Sequence, residues 1–178
     1  MSTTKQNVYL AGAMESAENL GAGWRKELTP FLENLNFNVL DPCEFEPHQL
    51  KGLQPNRLPD YYTDGLSGNK IKCYHWHQLK NAEEAHLKER FLKYMRRIIE
   101  YDCDIVQTQT NLIIVLWDEA AGKGAGTHSE LTLGYLNNIP ILCVATTDMP
   151  AWAKACCSNI FLDFDSLKEF IENNYIVK

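Results

Sequence analysis

No apolar run in the chain approaches the roughly 18 residues that a membrane-spanning helix needs, so no such helix is expected. The opening MSTTKQ runs straight into NVYLAGAM without the apolar core of a secretory leader, and the expected location is cytoplasmic. Basic residues are in deficit: 17 Lys and Arg face 23 Asp and Glu, giving a formal net charge of −6. That balance argues against a nucleic-acid polymer as partner, while leaving room for a small nucleotide in a local pocket. A disulfide framework is also missing. Cys43, Cys73, Cys103, Cys143, Cys156 and Cys157 are scattered, and in a cytosolic domain they read as reduced core thiols. The stretch Cys73-Tyr74-His75-Trp76-His77 is the one metal-like arrangement. It lacks a second ligand pair at a zinc spacing, so neither metal nor cofactor is expected.

What is present is an alternation of strand and helix. Strands are expected at Asn7–Ala13, Phe37–Leu40, Asn111–Trp117, Ile139–Ala145 and Ile160–Phe164, the buried ones rich in β-branched residues. Trp24, Leu28, Phe31, Leu32 and Leu35 share one helical face over 22–36, and Leu87, Phe91, Tyr94, Met95 and Ile98 define another helix. Ala151–Ala155 and Asp165–Asn173, the latter capped by Asp165, close the pattern. With 178 residues, 45% of them hydrophobic, the chain suffices for a single domain spanning 1–178. The expected fold is α/β: a doubly wound, Rossmann-like or flavodoxin-like parallel sheet of about five strands flanked by helices, with a long insertion at 43–82. Ligands of such sheets sit beyond the carboxyl ends of the strands, which gathers Tyr9 to Met14, Asp41 and the 122–130 segment.

Residues 111–135, NLIIVLWDEAAGKGAGTHSELTLGY, are the most informative. An apolar strand leads into Gly122, Gly124 and Gly126, which are able to take positive φ and present amides to an anion or a sugar. A helix starting near Thr127 would add its positive dipole end, with Glu130 in its first turn. The competing reading is a capping box, Thr127-x-x-Glu130, in which both side chains only satisfy helix amides. A second carboxylate stands out earlier. On the stripe Leu87, Phe91, Tyr94, Ile98 the next position is Asp102, followed by Ile105 and Val106, so Asp102 points inward or lies just past the last helical turn. Asp104, about 200° around the helix, faces solvent.

Taken together, VYLAGAM, Trp24-Arg25, Asp41-Pro42, Asp102 with Val106 four residues on, and GAGTHSELTLGY followed by NNIPILCV resemble the nucleoside 2-deoxyribosyltransferases, including their nucleotide N-glycosidase relatives. The resemblance runs from residue 7 to about 145, and Gly126-Thr127-x-x-Glu130 is its most specific piece. It implies that Glu130 is the nucleophile toward the anomeric carbon, that Tyr9 lies close to it, and that Asp102 engages the base and assists its protonation. It also implies a homo-oligomer with shared active sites. The chain departs from the family at Lys123-Gly124, where many members carry an Asp, and in the length of 43–82. The glycine segment also weakly resembles that of the cytokinin-activating phosphoribohydrolases, but their Pro-Gly-Gly opening is absent.

Cleaving an N-glycosidic bond passes through an oxocarbenium-like transition state, which one ionised carboxylate stabilises or traps while a protonated one helps the base depart. Glu130, beside helix amides, is expected to stay charged, and Asp102, in an apolar setting, to hold a proton. Gly12, Asp41, Gly124, Gly126, Thr127 and Ser129 are the candidate substrate contacts, and Tyr61, Tyr62, Tyr74 and Trp76 form either a base-stacking lid or packing. Three readings stay open: transfer of a 2-deoxyribosyl group between bases, hydrolysis of a nucleoside 5′-monophosphate, and non-catalytic nucleotide sensing. The hydrolase would want a cation near the 5′ group, for which Lys123, Arg25 and Arg57 are nominated.

Overall fold

The computed structural model describes residues 5–44, 61–63, 70–72 and 81–175. In chain order these form β1 (Gln6–Gly12), a 3-10 turn (Glu18–Gly21), α1 (Ala22–Asn34), β2 (Phe37–Leu40), β3 (Tyr61–Thr63) and β4 (Lys70–Lys72). There follow α2 (Ala85–Thr108), β5 (Leu112–Trp117), α3 (Glu119–Lys123), α4 (Ala125–Leu136), β6 (Ile141–Ala145), α5 (Ala151–Cys156), β7 (Asn159–Phe161) and α6 (Phe164–Asn174). The chain divides into two compact units, one made of residues 1–44 and 102–178, the other of 45–101. In the second unit, β3 and β4 pair antiparallel, so part of the segment expected as a loop is a hairpin.

The first unit is built on a five-stranded sheet of order β2-β1-β5-β6-β7, every pair parallel. This is the flavodoxin-like order, which reverses direction between β1 and β5. The α/β, doubly wound expectation therefore holds. Strand alternation divides the interior in two. Val8, Leu10, Leu112, Ile114, Leu142 and Val144 face a cluster with Leu28 and Leu32 of α1 and Leu167 and Ile171 of α6. Tyr9, Ile113 and Ile141 face the opposite way, and there α4 comes close. A Cβ at Gly134 would stand 2.5 Å from Ile113 Cδ1 and 3.1 Å from Ile141 Cδ1, so the absent side chain sets how near α4 lies to the sheet.

Helix ends explain the boundaries that local pattern misplaced. Asn36 (φ 65°) and Asn138 (φ 56°) take the left-handed conformation just after α1 and α4 and turn the chain into the next strand. Asp163, not Asp165, caps α6: its Oδ1 accepts the Ser166 amide at 2.8 Å. That ends β7 at Phe161 rather than at Phe164. Gly21 (φ 68°) precedes α1, where a Cβ would meet the Ala13 carbonyl oxygen at 2.3 Å; the turn between β1 and α1 needs glycine. The described cysteines, Cys43, Cys103, Cys143, Cys156 and Cys157, are free thiols. Among the described residues no helix is long and apolar enough to cross a membrane.

Candidate active site

Tyr9 sits in the middle of β1, fully buried and in register with Ile113 of β5. Because Val8 and Leu10 belong to the α1–α6 face, Tyr9 must point to the other, and its hydroxyl donates to Glu130 Oε1 of α4 at 2.7 Å. Glu130 is not a cap. The N-cap of α4 is Gly124, extended (φ −98°, ψ 128°) and without a side-chain cap bond, so Glu130 lies in the second turn and Thr127 is buried within the helix. The capping-box reading fails because the helix starts earlier than Thr127.

The glycine loop is corrected as well. Among the described glycines only Gly12 and Gly21 have positive φ. Gly122 lies in α3 and Gly126 in α4, leaving Gly124 as the single extended residue between two helices. The physical cause is Asp118, whose Oδ1 accepts the Ala121 amide at 2.7 Å and closes α3 as a helical turn. An aspartate directly before Glu-Ala-Ala was the sequence signal for that cap.

Asp102 lies inside α2, not beyond its last turn, and is partly buried beside the buried Ile105 and Val106, whereas Asp104 is exposed. Burial pushes the Asp102 carboxyl up to about 7, with the charge of Glu130 adding to the lift. Burial also raises Glu130, opposed by the Tyr9 hydrogen bond and then by the positive charge of Arg25. The α4 amides are not what opposes it. Tyr9 is held well above its ordinary range, first by burial and then by the neighbouring charges of Glu130 and Asp102. Asp102 and Glu130 are therefore both raised by burial and coupled through their charges, and they titrate as a pair. The fold thus brings together all three residues that the sequence placed in chemical roles, from β1, α2 and α4 of one unit.

Several of the other candidate contacts have polar groups that are already engaged. Gly12 ends β1, and its carbonyl accepts from Arg25 Nη2 at 3.1 Å. Asp41 is buried, its Oδ1 accepting the Cys43 amide at 2.8 Å and lying 3.6 Å from Arg25 Nε. Ser129 is exposed and donates to the Ala125 carbonyl at 2.9 Å. Gly126 is exposed in the first turn of α4, with open space where a Cβ would stand. Lys123 is exposed and paired with Glu119 at 2.6 Å. Arg57, Tyr74, Trp76, the Cys73–His77 cluster and the Tyr61 and Tyr62 side chains lie outside what the structure describes.

A cavity of about 470 Å³ opens where the sheet order reverses, at the carboxyl ends of β1 and β5. Trp24 and Gly21 line one side, Asp118, Glu119 and Lys123 the other. Its volume suits a small molecule. Tyr9, Asp102 and Glu130 are not in its lining. Two features escaped the sequence reading: the burial of Arg25, and His128, whose ring packs edge-on against Trp117 with centroids 4.8 Å apart.

No family model and no curated protein matches the chain by sequence. Among solved structures, it is similar to the 2-deoxyribosyltransferase of the psychrotolerant bacterium Bacillus psychrosaccharolyticus, a biocatalyst for nucleoside synthesis. The TM-score is 0.51 across 91% of this chain and 90% of that one, at 13% identity. That likeness establishes the fold.

Proposed function

We propose that this protein is an enzyme that breaks and re-forms the N-glycosidic bond of 2-deoxyribonucleosides, transferring the 2-deoxyribosyl group between bases. The observation that carries the reading is a coupled pair of carboxyls, Glu130 accepting the Tyr9 hydroxyl at 2.7 Å and Asp102 raised by burial and by the charge of Glu130 to about 7. In this reading Glu130 attacks C1′ and the C1′–N bond breaks. Asp102 delivers its proton to the departing base, leaving the sugar as an ester on Glu130. A second base then attacks C1′, the ester bond breaks, and a proton from the incoming base returns to Asp102. Two displacements give net retention. The fold likeness supports this assignment, and so does the cost of Asp102: holding an acid far above its ordinary range weakens the fold at neutral pH, which a sensor would gain nothing from.

Among the described residues, the cations nominated for a 5′-phosphate are engaged elsewhere, which favours the nucleoside over the 5′-monophosphate. Arg25 is bonded to backbone carbonyls and Asp41, and Lys123 is paired with Glu119. A homo-oligomer belongs to the same proposal. Tyr135 and Leu136 of α4 and Trp152 of α5 are exposed apolar groups, and Trp152 Nε1 donates to Thr132 of α4 at 3.0 Å.

A 2-fluoro-2-deoxyribosyl nucleoside tests the chemistry. Fluorine at C2′ destabilises the oxocarbenium-like transition state and slows breakdown of the ester. Mass spectrometry is expected to find the added sugar on the peptide bearing Glu130, decaying faster when a free base is supplied. Decay indifferent to added base would make the protein a hydrolase. Turnover with no adduct would remove Glu130 as nucleophile.

A further inference from the structure

Arg25 is the one fully buried cation among the described residues. Its Nε donates to the Leu10 carbonyl at 3.1 Å, Nη1 to that of Gly21 at 2.9 Å and Nη2 to that of Gly12 at 3.1 Å. Asp41 Oδ1 lies 3.6 Å from Nε, and Trp24 stacks under the guanidinium with its ring centroid 4.7 Å away. Removing a guanidinium from water costs several kcal/mol, and only dense partnership of this kind offsets it. The planar fork suits three carbonyls in fixed directions, which a lysine ammonium matches poorly.

Leu10 and Gly12 follow Tyr9 directly along β1, so the fork grips the backbone that aims the Tyr9 hydroxyl at Glu130. We propose that Arg25 is the positioning residue of this site: it locks the strand end that carries Tyr9, and its buried positive charge favours Glu130 as a carboxylate from across the sheet. This rests on the reading of Glu130 as the reacting group. Arg25 extends from α1, on the far side of the sheet from α4, to the carbonyls at the end of β1. Its attraction opposes the upward push of burial on both Glu130 and Tyr9. The groups that bear on Glu130 or feel its charge, among the described residues, are Tyr9 from β1, Arg25 from α1, and Asp102 and Cys103 from α2. Asp41, whose Oδ1 lies 3.6 Å from Nε, is itself raised by burial.

The experiment is a pH titration of the side-chain carboxyl carbon of Glu130 by NMR in 13C-Glu-labelled protein, assigned with Glu130→Gln. In Arg25→Met the Glu130 midpoint is expected to rise by roughly one pH unit, the size of effect that one nearby opposite charge exerts. Arg25→Lys is expected to bring it back most of the way, because charge returns without the fork. Asp41→Asn is expected to move it down, since Asn keeps the Cys43 contact while removing the negative partner. An unmoved midpoint in folded Arg25→Met, a Lys variant as displaced as Met, or an upward shift in Asp41→Asn would overturn the proposal. Should Arg25→Met fail to fold, Asp41→Asn decides alone. Turnover of deoxynucleosides is read separately. Shifted midpoints in a protein without turnover would sink the proposed function and leave the role of Arg25 standing.

Discussion

Replacing Asp102 by Asn should make the protein more stable at alkaline pH and much less active. In the folded chain this carboxyl titrates at about 7, and in the unfolded chain close to the ordinary aspartate value of about 3.9. Below about pH 4 both states carry the proton, and the favourable contribution to stability is complete. Between about pH 4 and 7 the folded state keeps a proton that the unfolded state has lost, so stability falls as pH rises, and above about 7 the loss is complete. The full span corresponds to about 4 kcal/mol. Residual contact of the carboxyl with solvent reduces it, and about 2–3 kcal/mol is expected. Asn at 102 carries no titrating proton and lacks this slope. Urea unfolding of both proteins from pH 4.5 to 8.5 reads it directly: the variant's advantage should grow by about 2 kcal/mol toward the alkaline end. Titrating groups that do not couple to Asp102 cancel in the difference, while Glu130, Tyr9 and Cys103, which do, contribute to it. Asp104→Asn, at an exposed position on the same helix, is the control and should track wild type in stability and turnover. Parallel stability curves for wild type and Asp102→Asn would refute the argument, because they would mean that Asp102 is not held protonated by the fold. In the proposed reaction the same protonation should make deoxynucleoside turnover decline as pH rises through about 7, and that limb should vanish in Asp102→Asn.

Glu130→Gln should keep the Tyr9 hydrogen bond and melt near wild type while turnover falls by at least roughly a thousandfold, the scale seen when a nucleophile is removed. Steady-state rates with a thermal melt on the same sample check this, and near-normal activity per folded molecule would end the nucleophile reading. Gly134→Val drives a branched side chain into fully buried Ile113 and Ile141 and should cost about 1–3 kcal/mol in urea unfolding, despite replacing a helix-interior glycine. A neutral or stabilised variant would show that α4 does not approach the sheet so closely.

Periodicity by itself determined the fold class. The strands Phe37–Leu40 and Asn111–Trp117 and the face shared by Leu28 and Leu32 arise from side-chain spacing alone, which records burial directly. It also singled out Asp102, because a charge on an apolar stripe has to turn inward, and Glu130, through its place after the glycines. The same logic could have marked Arg25, three and seven residues before Leu28 and Leu32 on the face of α1 that packs against the sheet. Its partners, Leu10, Gly12 and Asp41, lie up to 16 residues away and become carbonyl and carboxylate neighbours only once β1 and β2 pair. The tertiary structure decided the rest. Whether Thr127 and Glu130 capped a helix turned on where α4 begins, and Asp118 settles that by closing α3 one turn earlier. Whether Glu130 meets Tyr9 depended on strand alternation and on the close approach of α4 at Gly134. The apolar stripe already pointed to a protonated Asp102, but the charge of Glu130 that adds to its lift acts only in the assembled environment.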